Sequence, residues 1–178
     1  IGLQAGYCVT GNYNIFFGCG AGELVTSGSR NIIIGCGVDV VDIGLSTTPT
    51  VDGAVKKENA AGCIILTASH NPKQWNALKL LNKQGEFLSK SDGKKILEIA
   101  KNEDFIFSDI NQIGSLVHNN SHNDQHIDDV LNLELVDAEL IRSKKYKLVL
   151  DAVNSTGGIL IPKLLEILGV ECVRLYCD

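Results

Sequence analysis

"AGCIILTASHNPKQWNALKLLNKQGEFLS", residues 61–89, is the stretch on which the reading of this chain turns. Residues 61–69 are almost all apolar and read as a buried strand. "NALKLLNKQGEFLS" (76–89) reads as two strands around a Lys-Gln-Gly turn. Between these runs stand Ser69 and His70, followed by Asn71 and Pro72. Pro72 fixes its own φ and blocks helical continuation, and it pushes Asn71 to an extended conformation. The loop is therefore stiff, and Ser69 sits where a rigid element runs out. In open parallel sheets ligands bind beyond the carboxyl ends of the strands, which is the placement expected for Ser69. A serine hydroxyl is a weak nucleophile until it is activated, and His70 and Lys79 are the nearby groups able to polarise it or stabilise charge. The local alternative is that Ser69 and Asn71 only make side-chain bonds within a turn.

Outward from this loop the texture is α/β. "VDVVDIG" (38–44) reads as a buried strand, and "TPTVDGAVKKENA" (48–60) as a helix opened by Thr48 and Pro49. "SKSDGKKILEIAKN" (89–102) is an amphipathic helix with Ile96, Leu97, Ile99 and Ala100 as its apolar positions. After a polar stretch, residues 121–133 form a helix capped by Ser121, and 136–145 continue helical. "YKLVLDAV" (146–153) is a buried strand, "NSTGG" (154–158) a loop, 159–169 a helix and 170–177 a last strand. That order is a βαβ unit with parallel strands. The expected fold class is α/β: a mixed sheet with flanking helices, the start of a second βαβ domain, and a short N-terminal β-repeat. The expected divisions are 1–37, 38–144 and 145–178.

Residues 1–37 carry an internal repeat. Gly2, Gly18 and Gly35 share one phase, Ala5-Gly6 returns as Ala21-Gly22, and Asn14 and Asn31 each precede a short apolar run ending in glycine. A short fixed period means stacked units, and apolar runs between Gly/Asn corners favour β structure. The segment resembles the Gly/Asn-rich repeats of phage tail fibres and trimeric adhesins, which implies a β-roll and trimerisation. Stacking would make Cys19 and Cys36 neighbours, as two thiols. Ile32–Ile34 could alternatively pair with Val38–Ile43.

The totals narrow the function classes. The chain has 178 residues, 44% of them hydrophobic, and a net charge of −5. It offers no basic footprint for nucleic acid and no apolar run of the ~20 residues that a membrane span requires. It opens on Ile1 and contains no methionine, which suggests a fragment. Its six cysteines form no CxxC pair and read as reduced, buried residues of a cytoplasmic protein. Cys172 and Cys177 are expected on opposite faces of one strand. His118, His122 and His126 are four apart, a metal-like spacing on a helix. The helix signal begins only at Ser121, so a solvated polar face is the expectation. "NSTGG" lacks a phosphate-loop pattern and reads as a tight strand-to-helix turn.

The string T-A-S-H-N-P after an apolar strand, followed by N-x-x-K, resembles the active-site loop of the α-D-phosphohexomutases: the phosphoglucomutases, phosphomannomutases and phosphoglucosamine mutases. "DVVDIGLSTTPT" (39–50) and "LVLDAVNSTGG" (148–158) extend the resemblance, which covers 37–178; Ala77 departs from the glycine many members carry. The resemblance implies that Ser69 is a phosphoserine, with Mg²⁺ at a phosphate oxygen. His70 would orient the phosphate or the loop, and Lys79 would balance charge or move a proton at the sugar hydroxyl. The substrates implied are a hexose phosphate and a hexose bisphosphate. The family's metal loop and sugar-recognition loop are not found in the sequence, so the isolated chain is expected to be inactive as a mutase. The abrupt change of texture at Gly37 suggests a join. The other readings are a structural or adhesive β-repeat protein, or a chimera without function as a unit.

Overall fold

The structure is a computed structural model and describes residues 15–17, 32–34, 38–67, 71, 77–102, 110–112 and 114–178. The chain divides into two compact units, Ile1–Asp42 with Asp92–His118, and Ile43–Ser91 with Asn119–Asp178.

In the first unit, β1 (Ile15–Phe17) pairs in parallel with β2 (Ile32–Ile34). Ile15 lies opposite Ile32 and Phe17 opposite Ile34, the same step that separates Asn14 from Asn31. The repeat read from sequence is thus the strand register. The proposed stacking of Cys19 on Cys36 falls outside the described residues. β3 (Val40–Asp42) pairs in parallel with β6 (Leu116–His118), so β2 takes β1 as its partner and not the Val38–Ile43 run. Asp39 Oδ1 accepts from both the backbone N–H and the hydroxyl of Ser115, each at 2.8 Å, which holds its carboxyl below the usual range. The strand at 116–118 was not read from sequence, because three residues inside a polar stretch show no period. In α2 (Lys90–Asn102) the apolar positions Ile96, Leu97 and Ile99 remain exposed.

The second unit is built on an antiparallel pair, β4 (Gly62–Thr67) and β5 (Ala77–Asn82), registered from Gly62 opposite Asn82 to Thr67 opposite Ala77. The loop carrying Ser69 therefore joins two antiparallel neighbours. An apolar run records burial, not the direction of its partner, and this antiparallel pair is consistent with the mixed sheet expected. α1 (Thr48–Lys57) lays Val51 and Val55 on Leu81, with Ile43, Ala60, Cys63 and Ile65 around them. Burying such side chains contributes about 1.5–3 kcal/mol each. Pro49 stands in the first turn of α1 as expected, but the cap is Thr47, whose side chain accepts from Thr50 N.

Beyond β5 the chain reverses tightly. Asn82 Oδ1 accepts from Gln84 N at 2.9 Å and from Glu86 N at 3.0 Å. Gly85 sits at φ +75°, against the backbone of α1. A Cβ there would lie 2.4 Å from the Asp52 carbonyl oxygen. After the turn only Phe87 pairs back, opposite Leu81, so the second strand expected in 76–89 is reduced to one bridge.

α3 (His122–Leu131) and α4 (Ala138–Lys144) lead into β7 (Lys147–Asp151), α5 (Gly157–Ile167) and β8 (Glu171–Leu175). β7 and β8 are parallel, as the βαβ reading requires. Leu165, Leu168 and Val170 form the core there, with Leu131, Ile141, Leu164 and Cys172 packed on it. The strands themselves are not buried: Leu148, Val149, Val173 and Leu175 are exposed. A strand is covered on both faces only when layers lie on both sides, and a two-stranded pair does not provide that. Ser121 makes no cap bond to α3; its hydroxyl donates to Asn119 Oδ1 at 2.8 Å. Asp137 does cap α4, accepting from Leu140 N at 2.8 Å. "NSTGG" is the tight strand-to-helix turn expected: Ser155 N donates to Ala152 O and Asn154 N to Tyr176 O. Among the described residues Cys63, Cys172 and Cys177 are free and partly buried, and burial pushes the Cys63 thiol up.

The crowding at Gly85 generates a paired prediction. Gly85→Ala combines positive-φ strain with a backbone clash and is expected to lower unfolding stability by about 2–4 kcal/mol. Gly53→Ala, in α1 with nothing near its Cβ position, is expected to raise it by ~0.5 kcal/mol. Urea midpoints of the two variants check this.

Candidate active site

The candidate site grows from the β4–β5 frame. Thr67 and Ala77 close the pair, so the two ends of the segment 68–76 are held opposite each other. Ser69 and His70 lie outside the described residues; Asn71, in the same loop, is exposed. Lys79 is described: it stands on β5 opposite Ile65, two residues into the return strand.

Directly opposed residues of an antiparallel pair share a face. Lys79 therefore shares a face with Ile65, Cys63 and Leu81, the side covered by α1. It is partly buried. Its ammonium lies 5.9 Å from the centroid of the Phe87 ring. Some other lysines of this unit are paired with carboxylates: Lys57 with Asp129, Lys147 with Glu171, Lys163 with Asp124. Lys79 makes no such pair among the described residues. Phe87 had no signal in the sequence, because its contact depends on the register across the turn.

Of the three histidines only His118 is solvated, with His122 buried and His126 partly buried. His118, on β6, bonds Asp42 at 3.2 Å. His122, only 3% exposed, bonds Glu58 Oε1 at 2.7 Å. His126 Nδ1 bonds the hydroxyl of buried Thr50 at 2.8 Å. His122 and His126 thus join α3 to α1, around a cavity of about 20 Å³ lined also by Gly53 and Asp129, room for one water. The sequence showed their spacing but not that α1 would offer partners at the matching positions. Among the described residues no group of three or more His, Cys, Asp or Glu could hold a metal ion.

The chain has relatives of known family. The family model "Phosphoglucomutase/phosphomannomutase, alpha/beta/alpha domain I" matches residues 21–107. The phosphoglucomutase/phosphomannomutase of Thermococcus kodakarensis is 33% identical over 155 residues, covering 87% of this chain and 33% of its own length. This chain belongs to the phosphohexomutase family. The phosphoglucosamine/phosphogalactosamine mutase of Sulfurisphaera tokodaii is 31% identical, covering 84% of this chain and 33% of its own. The crystal structure of a phosphoglucomutase/phosphomannomutase family protein from Burkholderia thailandensis superposes with a TM-score of 0.58 at 26% identity, over 80% of this chain and 30% of that one. The chain spans about a third of the length of the curated relatives it matches. The family match includes residues 21–36, so phosphohexomutase similarity runs through Gly37 and begins inside the repeat. The join expected at Gly37, and the likeness of 1–37 to tail-fibre repeats, gain no support from it. Among the described residues no helix is long and apolar enough to cross a membrane.

The α3–α1 contact gives a pH prediction. The His122 hydrogen bond, and after it the Asn119 bond, hold the Glu58 carboxyl below the usual glutamate range. A lowered folded-state value means the stabilisation is complete above the unfolded value of ~4.3 and is lost as pH falls through the lowered one. Melting temperatures of wild type and Glu58→Gln are expected to differ at pH 6 and to converge as pH drops below ~4.

Proposed function

We propose that this chain carries the phosphoryl-transfer loop of a phosphohexomutase, with Ser69 as the phosphoryl carrier. The observation that carries the reading is the closed β4–β5 frame: it returns Lys79 to the end of the sheet from which Ser69 departs, within the segment that matches the family. In the forward step a hexose phosphate hydroxyl attacks the phosphorus of phosphoserine. An O–P bond to the sugar forms, the Ser69 Oγ–P bond breaks, and the hydroxyl proton ends on the departing Ser69 Oγ. The product is a hexose bisphosphate. After the sugar reverses, its other phosphoryl returns to Ser69, so the phosphate migrates between C1 and C6. Transfer of this kind depends mainly on positioning and charge stabilisation. Lys79 would balance the charge of the phosphoserine, about −1.5 to −2 at pH 7, or move the proton. His70 would orient the phosphate or the loop.

Mg²⁺ at a phosphate oxygen goes with this reading and would supply further counter-charge. The described residues offer no cluster fitted to hold it, and no step above runs through the metal. A cytoplasmic setting, and a division into 38–144 and 145–178, belong to the same proposal. The trimer suggested by residues 1–37 does not.

The test is peptide mass spectrometry after incubation with glucose 1,6-bisphosphate and Mg²⁺. One phosphate on the peptide spanning 67–79, absent in Ser69→Ala, is the expected result. Lys79→Ala is expected to slow loading on the order of 100-fold. No phosphate on the wild type, or equal phosphate on Ser69→Ala, would contradict the reading.

A further inference from the structure

Lys79, like Lys56, Lys83, Lys144 and Lys145, has no carboxylate ion pair among the described residues. It occupies a position on the covered face of β5, where its strand neighbour on that face is the core residue Leu81, 3% exposed. A flexible four-carbon stem on a sheet face has many rotamers, and a group that meets a phosphoryl oxygen needs one of them. Something must choose it. Among the described residues no carboxylate does.

The register supplies the answer. Leu81 pairs with Cys63 on one side and with Phe87 on the other. Phe87 therefore lies beside Leu81 on the same face, and Lys79, two residues away along β5, is its diagonal neighbour. Diagonal pairs across antiparallel strands stand ~7–8 Å apart, within reach of an aromatic ring and a long side chain. The ammonium at 5.9 Å from the ring centroid completes the contact as a cation–π interaction. The ring is 56% exposed, but the backbone that carries it is held. Asn82 closes the turn with bonds to Gln84 N, Glu86 N and the Glu86 carboxylate, the last at 3.2 Å. Leu88 N bonds Leu80 O at 3.2 Å just beyond. Phe87 sits between these anchors.

We infer that Phe87 is a positioning residue for phosphoryl transfer: its ring holds the Lys79 ammonium in one arrangement. The inference rests on the reading of Lys79 as the charge-balancing group. A ring acts here without neutralising the charge, as a carboxylate would, and leaves it available to an incoming phosphate. Phe87→Leu keeps apolar bulk and removes the π face; Phe87→Trp keeps the face.

The experiment combines two readouts on the full chain. Selectively ¹³C-labelled lysine reports the ring current at the Lys79 ε-methylene, assigned with Lys79→Arg. Mass spectrometry reports the rate of Ser69 phosphorylation by glucose 1,6-bisphosphate with Mg²⁺. The expected result is an upfield-shifted Lys79 signal in wild type and Phe87→Trp, lost in Phe87→Leu. Loading is expected to slow roughly 2–5-fold in Phe87→Leu and to recover in Phe87→Trp. Absence of the ring-current shift in folded wild type would overturn the inference, as would a shift lost in Phe87→Leu with no change in loading. A wild type that shows the shift but never gains phosphate sinks the phosphohexomutase chemistry of this chain and the role of Phe87 with it. That outcome is distinct from a loaded chain indifferent to the ring.

Discussion

The antiparallel pairing of β4 with β5 is the constraint on which the second unit depends. Its register, Gly62 with Asn82 through Thr67 with Ala77, settles three things at once. It fixes which face of the pair α1 covers, because Cys63, Ile65 and Leu81 alternate onto one side. It brings together the two ends of the loop that carries Ser69. It also sets Lys79 on the covered face, where it is partly buried. A slip of one residue would exchange the faces and send Leu81 outward.

The frame is held from outside by α1 and by the turn after β5. α1 brings Val51 and Val55 to Leu81, and the Asp52 backbone lies where only a glycine fits at position 85. On its other side the same helix meets α3 through Thr50–His126 and Glu58–His122. α1 is therefore both the cover of the hairpin and the partner of α3. Hydrogen bonds of buried His122 and partly buried His126 carry the second contact, where replacing the partner of His122 or of Thr50 leaves a buried polar group unsatisfied.

Much of this was legible in the sequence, for physical reasons that can be named. The runs 61–69 and 76–82 are apolar with clear breakers, so both strands could be read. The step between Asn14 and Asn31 foretold the register of Ile15 with Ile32, because stacked units repeat at their own period. The family resemblance carried by T-A-S-H-N-P and its flanks was legible, and the family match bears out that resemblance. The apolar runs themselves do not record partner direction, because such a run looks the same in parallel and antiparallel pairs; the antiparallel β4–β5 pair is consistent with the mixed sheet expected. Burial was overestimated at Leu148, Val149 and Val173, since β-branched strands signal two covered faces where the structure covers fewer. The inward turn of His122 and His126 and the contact of Lys79 with Phe87 depend on residues far apart in the chain, and no local pattern carries them.

Hydrogen–deuterium exchange measured by peptide across the chain tests most directly whether the β4–β5 pair is the rigid frame of the serine loop. Peptides confined to 62–67 and 77–82 are expected to exchange only through global unfolding of their unit, with their protection falling together in Gly85→Ala. Exchange of either strand within seconds, or independent opening of 77–82 while 62–67 stays protected, would contradict that frame and the placement of Lys79 that rests on it.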